Sequence, residues 1–317
     1  MHQLLPVHPE LAPVLDVLPE RPADFPDIEV TRARFLAAQT ARPLPRVPGV
    51  RTERLIVRRG DGTPLTLEVY RPPAGPAGPP LPAVLHFHSG AFAYGRSRPG
   101  QDRIALMICQ EVGAVAVAVE YRLAPEHPYP AGVDDCYLAL RWVAGNAAFL
   151  GVDPARIAVT GKSAGACLSA AVALMARDRG GPALAHQALR IPLLDDRQAT
   201  DSARHATDPR LFNSATVRAV WDHYLDGAAP DAYAAPARAA DLTGLPATSL
   251  LVCDLDPARD EALDHARRLM DAGVAVTTRN LPGAWHLFEL YAPETRLARA
   301  ADLFWARELR SALWPPE

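Results

Sequence analysis

The chain has 317 residues, of which 49% are hydrophobic, so it can bury the large core of a single α/β domain with an inserted cap. Its net charge of −3 and its scattered arginines exclude the concentrated basic patch of a nucleic-acid-binding protein. No apolar run reaches the ~18 residues that a membrane span requires, so we expect neither nucleic acid nor membrane as a partner.

The N-terminal part of the chain is interrupted by prolines, and we expect residues 1–46 to form the N-terminal part of a cap. Residues 51–71 alternate in polarity on either side of Gly60-Asp61-Gly62, which predicts two strands joined as a hairpin. The stretch from Pro73 to Pro82 is rich in proline and glycine and is predicted to be a loop.

Strand and helix signals alternate through most of the remaining chain. Strands are predicted near 82–88, 114–120, 157–161, 187–193, 247–253 and 274–280, and helices near 99–112, 133–146, 164–178, 258–272 and 293–312. This alternation predicts an α/β fold with a mostly parallel twisted sheet and helices on both of its faces. We assign residues 47–194 and 228–317 to this main domain.

Residues 195–227 interrupt the alternation and are predicted to be an inserted cap helix region. Within it, Val217, Val220, Trp221 and Tyr224 recur at helical spacing and would share one face of a helix. From the spacing alone, that apolar face would pack on the main core.

The pentapeptide Gly161-Lys162-Ser163-Ala164-Gly165 follows an apolar strand and precedes an alanine-rich helix. This strand, turn and helix is the setting of a serine nucleophile elbow, in which the serine backbone is strained and the residues two before and two after it must be small. Gly161 and Gly165 meet that requirement. Because the pentapeptide alone is a weak signal, the hypothesis also requires a histidine base, a carboxylate and donors for an oxyanion.

Candidate oxyanion donors follow the buried strand that ends at Phe87. The turn His88-Ser89-Gly90-Ala91-Phe92 consists largely of small residues and can expose backbone N–H groups. We predict that the N–H groups of Gly90, Ala91 and Ala164 form an oxyanion hole. The alternative is an ordinary turn at the end of a strand.

The carboxylate and the base follow the last two strands. Asp256 lies in an acidic loop after one strand, and His286 lies in the loop after the next. Ser163, Asp256 and His286 occur in the chain order that α/β-hydrolases use for a catalytic triad. Asp254 and Asp260 compete for the role of the acid, but they are more typical of solvated or helix-capping residues.

These motifs resemble the hormone-sensitive-lipase-like esterases, also called bacterial type IV carboxylesterases, across most of the chain. The segment from His88 to Ala91 is similar to the family's His-Gly-Gly-Gly loop, and the pentapeptide is similar to its Gly-Asp-Ser-Ala-Gly elbow. The most specific match is the run Tyr121-Arg122-Leu123-Ala124-Pro125-Glu126-His127-Pro128-Tyr129-Pro130-Ala131. The family's acid and histidine motifs are matched by Asp256-Pro257-Ala258-Arg259-Asp260-Glu261 and His286-Leu287-Phe288.

The resemblance implies an α/β-hydrolase fold with a helical cap and a serine carboxylesterase that acts on small-molecule esters of short to medium chain length. It also implies that the apolar face with Trp221 and Tyr224 covers the acyl pocket, which is the second interpretation of that face. We expect the substrate pocket to include six residues: His88, Phe92, Lys162, Trp221, Tyr224 and Leu287.

Two other functions stay open at this point. The same triad could serve a specialised acyl hydrolase or acyltransferase that acts on an ester, lactone or amide of a secondary metabolite. A non-catalytic ligand receptor on a hydrolase scaffold is a function of a different class. The receptor branch similar to this family looks to have lost its histidine, whereas His286 is present here.

Three residues depart from the family pattern. Ser89 and Ala91 replace glycines of the oxyanion loop, and this matters only if the loop needs positive φ there. Lys162 replaces the acid beside the nucleophile. It either alters the local field and the preference for substrate charge, or points to solvent or a nearby carboxylate.

The four cysteines have no paired spacing and lie in apolar stretches, which favours a reduced, cytoplasmic location. Residues 1–20 lack the layout of a signal peptide. His86 and His88 would share one face of a strand without a carboxylate nearby in sequence, so we expect no metal and no cofactor. The sequence leaves open whether the chain forms a homodimer.

Overall fold

Eight strands form one sheet in this computed structural model, which describes residues 6–20, 27–73 and 78–315. The strands are β1 (Arg51–Arg58), β2 (Pro64–Arg71), β3 (Leu81–Phe87), β4 (Val115–Glu120), β5 (Val152–Lys162), β6 (His186–Arg190), β7 (Thr248–Cys253) and β8 (Val276–Leu281). Their order across the sheet is β1-β2-β4-β3-β5-β6-β7-β8. The pairings of β1 with β2 and of β2 with β4 are antiparallel, and the other five are parallel.

Eleven α-helices surround the sheet in the described part of the chain. They are α1 (Ala12–Leu15), α2 (Ile28–Thr40), α3 (Asp102–Met107), α4 (Ala131–Gly145), α5 (Ala147–Leu150), α6 (Ala164–Asp178), α7 (Asp201–His205), α8 (Ser214–Leu225), α9 (Arg259–Asp271), α10 (Phe288–Tyr291) and α11 (Arg296–Leu313). A five-residue π-helical turn, Ile108–Val112, continues α3, and a 3₁₀ turn covers Pro236–Arg238.

Alternate residues of the central strands point to opposite faces of the sheet, and each face is covered by helices. Leu85 of β3 and Val159 of β5 belong to a core that also contains residues of α4 and α6. Val84 and Ala158, one position away on the same strands, pack with α3 and α11. The near-continuous burial of β3 therefore follows from helices on both sides, as is typical of parallel sheets.

The predicted fold class is confirmed. The strand boundaries agree with the predicted ones within about three residues, except that β5 begins at Val152 rather than near residue 157. The hairpin turns at Gly62, whose φ of 83° is in the left-handed region, and its N–H donates to the carbonyl of Arg59. The short helices α5, α7 and α10 were not predicted, because four or five residues do not show a helical period. Residues 74–77 of the predicted proline and glycine loop lie outside the described residues.

The two segments predicted to form a cap hold helices that are attached to the main domain in different ways. In residues 1–46, of which 1–5 and 21–26 lie outside the described residues, Leu11 and Leu15 pack into a core with Trp285, whereas no residue of α2 is fully buried. In residues 195–227, α8 begins where the side chain of Asn213 accepts the N–H of Thr216. No described helix is both long and apolar enough to cross a membrane.

Candidate active site

Ser163 occupies a sharp turn between β5 and α6, with φ of 55° and ψ of −123°. Positive φ strains any residue that has a Cβ atom, so the serine must be held in place by its surroundings. A Cβ added to Gly161 would lie 2.2 Å from the carbonyl carbon of Gly165. A Cβ added to Gly165 would lie 2.0 Å from the carbonyl oxygen of Phe87. The predicted need for small residues at these two positions therefore has a direct steric cause.

The backbone on both sides of Ser163 is tied into the sheet and the helix. Its N–H donates to the carbonyl of Arg190 at the end of β6 across 2.9 Å, and its carbonyl accepts the N–H groups of Ala166 and Cys167. Residues 161–176 are all buried. The hydroxyl oxygen is therefore presented from a continuously buried segment.

The structure brings the three predicted triad residues together. The Ser163 hydroxyl lies 2.8 Å from Nε2 of His286, and Nδ1 of His286 lies 2.6 Å from Oδ2 of Asp256. All three residues are buried, with Ser163 3% exposed. With the proton on Nδ1 and directed to the carboxylate, Nε2 is free to accept the serine proton.

Asp256 is fixed by a second contact, because its Oδ1 accepts the N–H of Ala258 across 2.9 Å. The two competing carboxylates have other partners. Asp254 accepts the N–H of Gly283, and Asp260 pairs with Arg259 and accepts the N–H of Ser202. The geometry therefore favours Asp256 among the three acidic candidates.

The loop after β3 holds three consecutive residues with positive φ. Gly90, Ala91 and Phe92 have φ values of 137°, 53° and 57°, and a Cβ on Gly90 would lie 1.9 Å from the carbonyl oxygen of Tyr94. Among the described residues, none accepts a hydrogen bond from the backbone N–H of Gly90, Ala91 or Ala164. Three donors are thus free for a ligand.

The departures at Ser89 and Ala91 have different consequences. Ser89 has no positive φ, so a serine there carries no backbone strain, whereas Ala91 holds a left-handed conformation that favours glycine. The sequence could not separate these two cases, because positive φ is a property of the folded loop.

Gln101, which the sequence did not single out, supports the oxyanion loop from behind. Its Oε1 accepts the N–H of Ser89, and its Nε2 donates to the carbonyl and hydroxyl oxygens of Ser89. The same Oε1 lies 3.2 Å from Nε2 of His86, whose pKa is lowered to about 3 by burial and by the nearby His88. His86 is therefore neutral and donates to Gln101, so it adds no charge beside Ser89.

A cleft of about 750 Å³ opens at His286 and is lined by residues from several elements. Phe212, in the loop before α8, stacks on the His286 ring with centroids 4.3 Å apart. Leu287, Tyr94 and side chains of α2 also line the cleft. The sequence missed Phe212 and Tyr94, because loop residues far apart in the chain show no periodic signal.

Four of the residues expected in the substrate pocket are not among the residues that line this cleft. His88, Phe92, Trp221 and Tyr224 are all buried, at most 3% exposed. His88 stacks on Tyr121 and donates from Nδ1 to the carbonyl of Ser89. These two contacts brace the loop after β3. Phe92 stacks on Tyr224 with centroids 3.8 Å apart.

The apolar face of α8 therefore packs on the main core, which was one of the two interpretations of its spacing. Val217, Val220, Trp221 and Tyr224 all belong to the core that contains Leu85 and Val159. Its contribution to the cleft comes from Thr216 at the start of the helix. Leu287 does line the cleft, as expected.

Lys162 is directed to a carboxylate. Its Nζ lies 2.6 Å from Oε1 of Glu289, and the two side chains are 11% and 13% exposed. Both residues line a second cleft of about 470 Å³, which shares Phe35 and Leu287 with the first. Because Glu289 neutralises it, Lys162 adds no free positive charge beside the nucleophile.

Comparisons with known proteins agree with this geometry. A family model described as alpha/beta hydrolase fold matches residues 84–290. The chain is 36% identical over 292 residues to carboxylesterase NlhH of Mycobacterium tuberculosis, covering 90% of each protein. It is 35% identical over 291 residues to esterase LipI of the same species, covering 90% of this chain and 89% of LipI. The solved structure of a bacterial heroin esterase has a TM-score of 0.90 at 36% identity, covering 97% of this chain and 98% of that one.

The family match, the relatives and the fold all lead to one assignment. The matched segment includes both the oxyanion loop and the serine elbow, together with the acid and histidine loops. The chain belongs to the α/β-hydrolase family, in its hormone-sensitive-lipase-like branch of carboxylesterases.

Proposed function

We propose that the protein hydrolyses short- to medium-chain carboxylic esters by a two-step acyl transfer at Ser163. The observation that carries this proposal is the position of His286, within hydrogen-bonding distance of both Ser163 and Asp256 at 2.8 and 2.6 Å. A serine hydroxyl is a weak nucleophile, so it needs a base at this distance and a third group that orients the base.

In the first step Oγ of Ser163 bonds to the ester carbonyl carbon while its proton passes to Nε2 of His286. The tetrahedral intermediate then collapses, the bond to the alcohol oxygen breaks, and the imidazolium returns the proton to the leaving alcohol. Water repeats the attack on the acyl-enzyme with His286 again as the base, and the acid is released. Asp256 stabilises the charged imidazole and fixes its tautomer.

The N–H groups of Gly90, Ala91 and Ala164 are the proposed donors to the oxyanion. Such groups act in a site shielded from water, and removing one donor costs about 10²–10³ in rate. The tie from Gln101 to Ser89 supports this proposal, because it holds the loop in one conformation before substrate binds.

The substrate is proposed to bind in the cleft of about 750 Å³ beside His286. We propose that α2 and the residues around the start of α8 act as the cap over this space. Phe212, Thr216 and Leu287 give it a mixed apolar and polar wall. The resemblance to hormone-sensitive-lipase-like carboxylesterases favours small and medium acyl groups over the long chains of triglycerides.

We also propose a reducing, cytoplasmic location. The four cysteines, Cys109, Cys136, Cys167 and Cys253, are all buried free thiols. Burial raises the pKa of Cys136, Cys167 and Cys253 well above the ordinary value, so these thiols resist ionisation and oxidation.

Hydrolysis of a series of p-nitrophenyl esters from acetate to palmitate tests the proposed function. We expect turnover to be highest for short and medium acyl chains, and Ser163→Ala to lose about 10⁶-fold in kcat. Preference for palmitate would overturn the chain-length proposal. A Ser163→Ala protein with wild-type turnover would overturn the mechanism.

A further inference from the structure

Four charged side chains meet beside the nucleophile elbow. Lys162 lies 2.6 Å from Glu289, and the Arg190 guanidinium lies 3.7 Å from the same carboxylate oxygen. Arg190 also donates to Asp302 across 2.8 Å. The Arg190 side chain is only 3% exposed, so these charges interact with little screening by water.

The four residues come from four different elements. Lys162 ends β5 and immediately precedes Ser163, while Arg190 ends β6 and accepts the Ser163 N–H at its carbonyl. Glu289 lies in α10, three residues after His286, and Asp302 lies in α11. The Lys162–Glu289 pair therefore directly connects the segment that carries the nucleophile to the segment that carries the base.

The cluster is balanced, with two cations and two carboxylates. Burial opposes ionisation of Glu289, but Lys162 and Arg190 outweigh it and lower the pKa of Glu289 to about 2. Glu289 consequently stays charged throughout the neutral range. An acid at position 162 would leave three carboxylates around Arg190 and would repel Glu289.

The histidine loop needs such a restraint. Leu287, next to His286, has a φ of 56°, a strained conformation for a residue with a branched side chain. A shift of about 1 Å in a reacting group can cost roughly 10²-fold in rate. A fixed contact at Glu289 limits how far this loop can move from Ser163.

We infer that the Lys162–Glu289 ion pair is a positioning device that holds the His286 loop against the Ser163 elbow. The inference rests on the proposed function, since it concerns the distance between its base and its nucleophile. Lys162 and Glu289 are positioning residues, because neither contacts the Ser163 hydroxyl or the His286 ring.

The test compares Lys162→Met, Glu289→Gln, Lys162→Arg, Lys162→Glu and the charge-swapped Lys162→Glu/Glu289→Lys protein with wild type. We expect each of the first two variants to lose roughly 10- to 100-fold in kcat, with KM within about threefold of wild type. Lys162→Arg should keep kcat within about threefold of wild type. The kcat of the charge-swapped protein should exceed that of Lys162→Glu alone by about tenfold. Melting temperatures are measured alongside, so that each assay is run on folded protein.

Glu294→Gln is the matched control. Glu294 pairs with Arg42 at 2.5 Å and lines the same second cleft, but its side chain is 72% exposed. We expect its kcat to match that of wild type. The rate of fluorophosphonate labelling of Ser163 gives a second readout that does not depend on the choice of ester.

The outcomes separate the inference from the function on which it rests. The inference alone would be overturned if wild type hydrolyses esters and is labelled, but Lys162→Met and Glu289→Gln have unchanged kcat and labelling rate. A lower melting temperature in these two variants would then show that the ion pair only stabilises the fold. A wild type that is neither hydrolytic nor labelled would overturn the proposed function and the inference together. Loss in the single variants with recovery in the charge-swapped protein supports both.

Discussion

The nucleophile elbow and helix α2 face the same cleft, but they are held by different forces. Around Ser163, residues 161–176 are all buried, and the turn depends on contacts that leave no space for a single methyl group. No residue of helix α2 is fully buried. Its contacts include the ion pair of Arg32 with Glu126 and the edge-to-face packing of Phe35 on Tyr94. The elbow is fixed by steric packing, whereas the helix proposed to cover the cleft is held by an ion pair and an aromatic contact.

The largest effect should come from breaking the packed region with Gly165→Ala. Its new methyl group would lie 2.0 Å from the Phe87 carbonyl oxygen, so α6 and β3 must separate. We expect activity to fall to the level of a Ser163→Ala protein, about 10⁶-fold, with a loss of stability above about 3 kcal/mol. Gly145→Ala is the control, because nothing lies within 4 Å of its added Cβ, and it should retain activity and melting temperature. An active Gly165→Ala protein would contradict the steric account of the elbow.

Asp256→Asn should have the next largest effect while leaving the packing intact. An amide in place of the carboxylate no longer stabilises the imidazolium and favours the wrong tautomer of His286, so kcat should fall by about 10⁴-fold. Steady-state kinetics on one short-chain ester measure this loss. Asp254→Asn is the comparison, and because Asp254 bonds to Gly283 it should change kcat far less. Equal losses in the two variants would contradict the choice of Asp256.

Variants of the surface region should have smaller effects. The Arg32 guanidinium donates to both oxygens of Glu126 across 2.7 Å and to the carbonyl oxygen of Ala93 across 2.9 Å, next to the oxyanion loop. Arg32→Met should lower kcat/KM by about fivefold, and Glu126→Gln by less, since Glu126 is 50% exposed and the carbonyl contact remains. Kinetics in low and high salt check the assignment, because salt screens the ion pair and should lower the kcat/KM of wild type more than that of Arg32→Met.

The same ion pair predicts how α2 responds to pH. Hydrogen bonds from Arg32 lower the pKa of Glu126 to about 2 from its ordinary 4.5, despite the opposing effect of burial. A lowered carboxyl pKa in the folded state stabilises it above pH 4.5, and this contribution is lost only as the pH falls towards 2. Melting curves between pH 5 and 8 should therefore show no Arg32-dependent change. A difference in melting temperature between wild type and Glu126→Gln that grows between pH 5 and 8 would contradict the assignment.

The smallest change should follow from Ala91→Gly. Glycine removes the strain of a φ of 53°, worth about 1 kcal/mol, and returns the residue found in the family motif. We expect a slightly higher melting temperature and a kcat within about threefold of wild type, since the N–H donor is retained. A large fall in kcat would show that the methyl group itself is needed in the acyl site.

The ratio of hydrolysis rates for anionic and neutral esters tests the charge at position 162. Because Glu289 neutralises Lys162, we expect wild type to show no preference for anionic esters over neutral esters of the same size. Lys162→Gln leaves the charge of Glu289 uncompensated and should lower the ratio, whereas Lys162→Gln/Glu289→Gln removes both charges and should keep it. A ratio that falls in the double variant would contradict the neutralisation.

Much of this fold was predictable, because alternation of strands and helices and the short motifs at strand ends are local patterns. The buried strand 81–87 and the small residues around Ser163 are examples in which sequence determines both the element and its role. The convergence of Ser163, Asp256 and His286 was predictable for the same reason, since each follows the carboxyl end of a predicted strand.

The remaining parts of the site depend on contacts that no local pattern contains. Phe212 reaches His286 from a loop, and Gln101 reaches Ser89 from the start of α3. Phe92 and Tyr224 are buried against each other because two distant segments meet, so their aromatic character alone could not separate a pocket wall from a core. Lys162 and Glu289 are 127 positions apart in the sequence, so no periodic pattern could predict their ion pair.

Peptide mapping after reaction with a fluorophosphonate tests the pairing of serine and histidine most directly. We predict one adduct, on Ser163, that forms at least about 10³-fold more slowly in His286→Ala because the hydroxyl has lost its base. An adduct on a different residue, or an unchanged labelling rate in His286→Ala, would contradict the pairing of Ser163 with His286.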